Sequence, residues 1–279
     1  MQTRVQRLAH AGGRAEPGSR VLPEEVAVAI SYNGSTQAVM MATPDALEDF
    51  ALGFSLTEGI ARPDEIDSIT PVETDRGIDL QIWLRGDAGL RLVARRRTMA
   101  GPVGCGLCGV DSLDEALRVV PPVPLSDMTM TPAQVIASVA ALPGHQPLHD
   151  ATRAVHAAAF WVPGAGIVAA REDVGRHNAL DKPTGALLRS AVPGPSGAVV
   201  LTCRVSIDMV QKCARIGAPV LIAVSSPTAH AVRMADAAGI TLIGLARTDR
   251  FEIFTHAFRI RADAGTEAAT ESKECRLTS

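Results

Sequence analysis

Hydrophobic positions repeat with two different periods along the chain, and the change of period divides it. The run Val26-Ala27-Val28-Ala29-Ile30, a polar Asn33-Gly34 pair and the run Ala38-Val39-Met40-Met41 predict a hairpin. Thr43-Pro44-Asp45 then opens a helix with Leu47, Phe50, Ala51 and Phe54 at helical spacing, ending near Glu58-Gly59, where Glu58 reads as a solvated helix end. Alternation by two returns in 78–84 and in Leu90–Ala94, so both are predicted as strands. A helix is expected over Pro132–Leu142.

From about residue 151 the pattern becomes strand and helix in alternation. Residues 157–162 and 166–170 read as paired strands, and a helix starts near Gly175. Continuous aliphatic strands at 198–201, 220–224 and 240–244 are separated by helices over 206–216 and 227–238. Such runs predict a largely parallel sheet covered on both faces. Cys213 falls on the apolar stripe of its helix and reads as core. The expected organisation is a flexible N-terminal arm (1–22), an α+β part (23–120), a proline-rich connector (121–150) with a loose subdomain boundary, an α/β part (151–261) and a flexible tail (262–279).

Composition narrows the function classes. The chain is 47% hydrophobic with a formal charge of -3, which gives no support for nucleic-acid binding. No apolar run approaches the length of a membrane span, and the N-terminus has no secretory pattern. Five cysteines with one close pair suit a reducing compartment, so a cytoplasmic location is expected.

That close pair is the chemical centre of the sequence. In Gly104-Cys105-Gly106-Leu107-Cys108-Gly109 two thiols sit three positions apart among three glycines. The glycines give the sulfurs little cover, as a reactive or ligating pair requires. A redox dithiol, a mixed metal site and a persulfide carrier all fit the pair. The upstream Arg95-Arg96-Arg97 would favour the thiolate. No second Cys-x-x-Cys is present, and a zinc deaminase would need His-x-Glu ahead of Pro-Cys-x-x-Cys, a pattern also missing. No metal ligands are assigned.

Three turns after the parallel strands are built for an anion. Thr202-Cys203-Arg204-Val205-Ser206 and Ser225-Ser226-Pro227-Thr228 each lead into a helix start, where unpaired N–H groups favour phosphate. Simple N-capping also explains Ser206 and Ser226, and is the preferred account of Ser226 taken alone, but it does not explain Arg204. The third turn, Leu245-Ala246-Arg247-Thr248-Asp249-Arg250, adds two arginines at the same edge, so a nucleotide-sized ligand is expected. Finally, Arg171-Glu172-Asp173-Val174-Gly175-Arg176-His177-Asn178-Ala179-Leu180-Asp181-Lys182 packs polar groups around a helix start. His177 and Asp181 lie at i, i+4, so the carboxylate is expected to orient the imidazole.

Taken together these pieces resemble the formate dehydrogenase accessory sulfurtransferase family (FdhD-type proteins). The resemblance rests on Leu52-Gly53-Phe54 with Glu58-Gly59, the Cys105–Gly109 loop, the 172–182 motif, Arg204-Val-Ser206 with Met209–Lys212, Ser226-Pro-Thr228 and Arg250-Phe251, and spans about residues 25–256. It implies a cytidine-deaminase-like three-layer α/β/α sandwich with a smaller N-terminal β-rich subdomain, and a homodimer. It also implies sulfur transfer from a cysteine desulfurase to the bis(guanine dinucleotide) molybdenum cofactor that formate dehydrogenase requires, with guanine nucleotide as a ligand. Carried over, Cys105 resembles the persulfide-forming cysteine, Cys108 its partner, and Leu245–Arg250 the segment assigned to the cofactor's nucleotide. A non-catalytic cofactor chaperone is the alternative. Two places depart from the family pattern: Cys203 stands where glycine is usual, and Arg153-Ala154 replace two glycines.

Overall fold

The protein is described by a computed structural model covering residues 1–98 and 120–261. The N-terminal stretch is not an arm but a hairpin, in which β1 (Gln2–Ala11) pairs antiparallel with β2 (Arg14–Pro23). Gly12 and Gly13 turn it at φ 57 and 77, a Gly-Gly turn of the kind hairpins use. Its side chains are mostly exposed, so it has no buried face whose periodicity would reveal it.

The next unit contains β3 (Val26–Tyr32), β4 (Ser35–Ala42), α1 (Leu47–Thr57), β5 (Ile66–Thr74), β6 (Gly77–Leu84) and α2 (Ala88–Thr98). Its four strands run in the order β4-β3-β6-β5. One face of this sheet buries Val28, Ile30, Leu80 and Ile82 against Phe50, Ala51 and Phe54 of α1. Residues 90–94, expected as a strand, lie in α2 instead. The buried positions there are Ala88 and Leu92, four apart, and leucine and arginine are good helix formers.

Residues 121–150 are more than a connector. They carry α3 (Pro132–Ala141) and α4 (Pro147–Thr152). Thr131 caps α3 in a reciprocal capping box with Gln134. Met130, Val135, Val139 and Leu142 cover one face of the second sheet.

That sheet is built from β7 (His156–Val162), β8 (Gly166–Asp173), β9 (Ala198–Leu201), β10 (Val220–Ala223), β11 (Thr241–Gly244) and β12 (Glu252–Ile253). Between its strands come α5 (Arg176–Arg189), α6 (Ile207–Ile216) and α7 (Ala229–Ala237). The order is β12-β11-β10-β9-β7-β8. Only β9, β10 and β11 are mutually parallel; β7, β8 and β12 pair antiparallel, so the sheet is mixed rather than largely parallel. The short turn between β7 and β8 leaves no room for a crossover and enforces that pairing.

Period two divides the central strands between two cores. Val199, Leu201, Leu221, Ala223 and Leu242 face α5, α6 and α7, together with Cys213 as expected. Ala198, Val200, Val220, Ile222 and Ile243 face α3. Helices thus cover both faces, and α1 packs against α5 to join the two units.

Candidate functional site

The carboxyl ends of β9, β10 and β11 bring three loops together. Val205 N donates to Ser226 O at 3.3 Å, Thr228 N to Val205 O at 3.0 Å, and Leu245 N to Ser225 O at 3.1 Å. Arg204, Ser206, Ser226 and Leu245–Arg250 therefore share one edge, as the sequence implies. The loops are close: a Cβ on Gly244 would lie 2.8 Å from Pro227 Cδ.

Within this edge the residues divide by role. Arg204, Ser226, Thr248, Asp249 and Arg250 are exposed. Ala246 is buried, and its N–H donates to Ala223 O at 3.1 Å, so it anchors the loop. Arg247 directs Nη1 to Val224 O and, at 2.9 Å, to Ala246 O, which ties two loops together. Ser206 occupies the N-cap position of α6 without making a side-chain cap. The cap of α7 is Thr228, whose hydroxyl accepts from Ala231 N, not Ser226. Both helices thus present their first N–H groups toward this edge.

His177 joins the same edge through a different carboxylate from the one expected. Its Nε2 pairs with Asp208 in the first turn of α6, not with Asp181. Arg176 Nη2 stands 3.8 Å from Asp208. Burial works against the Asp208 charge, but the His177 hydrogen bond and charge hold its carboxyl well below the usual range. Asp208 is the site residue that pattern reading missed; a carboxylate in the first turn of a helix was its only signal.

Asp181 lies elsewhere, fully buried beneath α1. Lys212 Nζ donates to Asp181 Oδ1 at 2.9 Å, to Glu58 Oε1 at 2.7 Å and to Thr57 Oγ1 at 3.0 Å, and Thr57 Oγ1 donates to Asp181 Oδ1 at 2.6 Å. Glu58 is thus an ion-pair partner rather than a solvated helix end. Burial, opposed by Lys212, raises the Asp181 pKa. Burial also disfavours the Lys212 charge, yet Asp181 and Glu58 hold its pKa above the ordinary value.

The rest of the 171–182 motif is spent on the protein itself. Lys182 Nζ reaches Asp173 Oδ2 at 2.6 Å and Thr43 O at 2.9 Å. Asn178 Nδ2 donates to Met41 O at 2.9 Å and Asp173 Oδ1 at 3.0 Å. Glu172 accepts from Leu148 N and His149 N, and Arg171 donates to Asp49. The motif staples three regions of the chain around a helix start. A cavity of about 810 Å³ beside Asp49, Arg171 and Glu172 is lined by none of the loop residues.

Neither cysteine among the described residues suits nucleophilic work. Burial pushes the Cys203 thiol up to about 11 and raises that of Cys213 further. Cys105 and Cys108 lie outside the described residues. Arg153, standing where the resemblance expects glycine, has φ 58, a region glycine occupies without strain.

Comparison with known proteins gives the family. The family model described as FdhD/NarQ family matches residues 23–261. The chain belongs to the FdhD/NarQ family. Among curated FdhD/NarQ relatives, "Sulfur carrier protein FdhD" of Agrobacterium fabrum is 52% identical over 92% of this chain and 95% of its own length. That of Brucella abortus is 51% identical over 92% and 96%. A crystal structure of a candidate formate dehydrogenase accessory protein from Desulfotalea psychrophila superposes with a TM-score of 0.73 at 25% identity, covering 93% of this chain and 99% of that one. The matched range includes Cys105–Gly109 and the turns at 202–206, 225–228 and 245–250.

Proposed function

We propose that this FdhD/NarQ protein is a sulfur carrier that works in the cytoplasm and supplies sulfur to the molybdenum cofactor of a formate dehydrogenase. The observation that carries the reading is the convergence of three turns and two helix starts at one sheet edge, in a chain about half identical to named sulfur carriers. Helices on both faces of a sheet with a parallel centre support the finer, cytidine-deaminase-like assignment.

The chemistry starts at Cys105. Its thiolate attacks the outer sulfur of a cysteine desulfurase persulfide; the S–S bond breaks, the desulfurase thiolate leaves, and Cys105 carries the persulfide. Cys108 thiolate then attacks Cys105 Sγ, closing a Cys105–Cys108 disulfide and expelling the outer sulfur as hydrosulfide. That sulfur is two electrons more reduced, and the disulfide holds the oxidising equivalents until a dithiol reductant removes them. The substrate, bis-molybdopterin guanine dinucleotide, is polyanionic. Arg204 and Arg250, with the starts of α6 and α7, would grip its phosphates; Ser206, Ser226 and the Leu245–Arg250 backbone would line it, and His177, fixed by Asp208, would meet a polar edge. Asp181 stays beneath, locked to Lys212. The carrier is expected to work as a homodimer.

Peptide mass spectrometry after incubation with a cysteine desulfurase and cysteine tests this. One added sulfur on Cys105, lost in Cys105→Ala together with activation of formate dehydrogenase, is expected. Full activation by Cys105→Ala would overturn the sulfur-carrying part and leave a cofactor chaperone.

A further inference from the structure

Among the described residues, two surfaces stay largely exposed and match each other. The first is the β1–β2 hairpin. It forms a two-stranded sheet of its own that touches the rest of the chain chiefly where β2 meets α4, and a two-stranded ribbon with little cover is at best marginally stable in water. Val5, Leu8 and Leu22 are exposed on it. It carries Arg4, Arg7, Arg14 and Arg20 against one carboxylate, Glu16.

The second surface is the outer face of the β4-β3-β6-β5 sheet. Its inner face is packed on α1. The outer face presents the cross-strand row Val39–Ala29–Asp79–Val72, with Met41 beside Ala27 and Trp83 beside Ser68. Val39 is 58% exposed, and Met41 and Trp83 are each 49% exposed. A large apolar sheet face left in water marks an interaction surface. In the middle of it, Asp79 Oδ1 has no hydrogen-bond donor among the described residues. The unit that bears this face is anionic: residues 23–94 hold thirteen carboxylates and four arginines, and although Glu48, Asp49 and Glu58 of the α1 segment are answered by Arg189, Arg171 and Lys212, Asp79 lies on the face itself.

We propose that the hairpin of one copy docks on the outer sheet face of a second copy, and the reverse, in a two-fold dimer. Arginine stems and the exposed Val5 and Leu8 cover Val39, Met41 and Trp83, while a guanidinium group meets Asp79 among them. An exchange of this kind is isologous and closes at two copies. The proposal gives the homodimer of the functional reading its contact, and it rests on that reading only for the number of copies.

Two variants of the full chain test it by sedimentation, with circular dichroism as the check on folding. R4E/R7E/R14E/R20E reverses the hairpin's charge, and V39K/M41K puts positive charge on the face opposite the hairpin's arginines. Each is expected to weaken the dimer by about tenfold or more, because like charges juxtaposed across an interface are strongly unfavourable. Mixed, the two variants are expected to form a heterodimer through the one intact hairpin and the one intact face, which neither variant does alone. A wild-type monomer across the micromolar range, a folded hairpin variant that dimerises like wild type, or no heterodimer on mixing would each overturn the proposal. Sulfur loading of Cys105, measured on the same samples, reports on the carrier function separately from the dimer.

Discussion

A single buried ammonium between two carboxylates fixes much of what individual residues do here. Lys212 answers Asp181, Glu58 and Thr57 at once, so removing it strands a buried charge. Lys212→Met is expected to cost about 3–5 kcal/mol in urea unfolding, the usual penalty for breaking a buried pair from one side. Asp181→Asn in that background should recover part of the loss, and simple additivity of the two changes would sink the argument. Because the Lys212 pKa is raised in the fold, its contribution is complete below the ordinary lysine range and fades as pH rises through the folded value. Asp208 behaves in the opposite sense. Its pKa is lowered, so its contribution is present above the ordinary carboxylate range and is lost as pH falls through the folded value. Asp208→Asn is expected to cost about 1–3 kcal/mol near pH 7. The gap to wild type should narrow toward about pH 3 as Asp208 of the unfolded chain takes up its proton while the folded carboxylate stays ionised; urea midpoints at the two pH values measure it, and a gap that widens in acid would contradict the sign.

Elements meet closely where α1 crosses α5, and glycine is why they can. A Cβ on Gly53 would lie 1.7 Å from Asp181 O, and one on Gly185 would lie 1.9 Å from Asp49 O. Neither contact involves a side chain that can swing away. Gly53→Ala is therefore expected to lower stability by about 3 kcal/mol in thermal unfolding, the upper part of the overpacking range. Gly144→Ala, with nothing within 4 Å of the added carbon, serves as the control and should change little. At this scale the sequence was informative wherever one face is buried: α1, α5 and the alternating central strands follow the apolar spacing. It was uninformative where burial does not discriminate. The β1–β2 hairpin shows almost no buried side chain, and residues 88–92 satisfy helical and extended spacing alike. The site divides along the same line. Loops after parallel strands must gather at one edge, so Arg204, Ser226 and Leu245–Arg250 were legible. Which carboxylate meets His177 depends on how two helices dock, and local i, i+4 spacing named Asp181 where tertiary packing supplied Asp208.

For the whole molecule, the proposed division between a thiol that loads sulfur and an edge that holds the cofactor implies that the two can be uncoupled. Arg204 and Arg250 are exposed on the edge, whereas Arg247 is occupied with loop carbonyls. A charge-assisted contact to phosphate contributes about 1.5–3 kcal/mol, which corresponds to a loss of roughly ten- to a hundredfold in affinity for each arginine removed. With guanosine diphosphate as the probe, Arg204→Ala and Arg250→Ala should each weaken binding on that scale. The wild-type affinity should fall as salt is added, because the site is open to screening. Arg247→Ala should act differently, loosening the loop and so lowering thermal stability as well as affinity. All three should still accept sulfur on Cys105 from a desulfurase, since the loading step needs only an accessible thiolate. Unchanged nucleotide affinity in both Arg204→Ala and Arg250→Ala would remove the phosphate role from this edge. Loss of sulfur loading in these variants would show instead that the edge and the thiol act as one unit, because a residue that only grips phosphate has no part in attack on a persulfide.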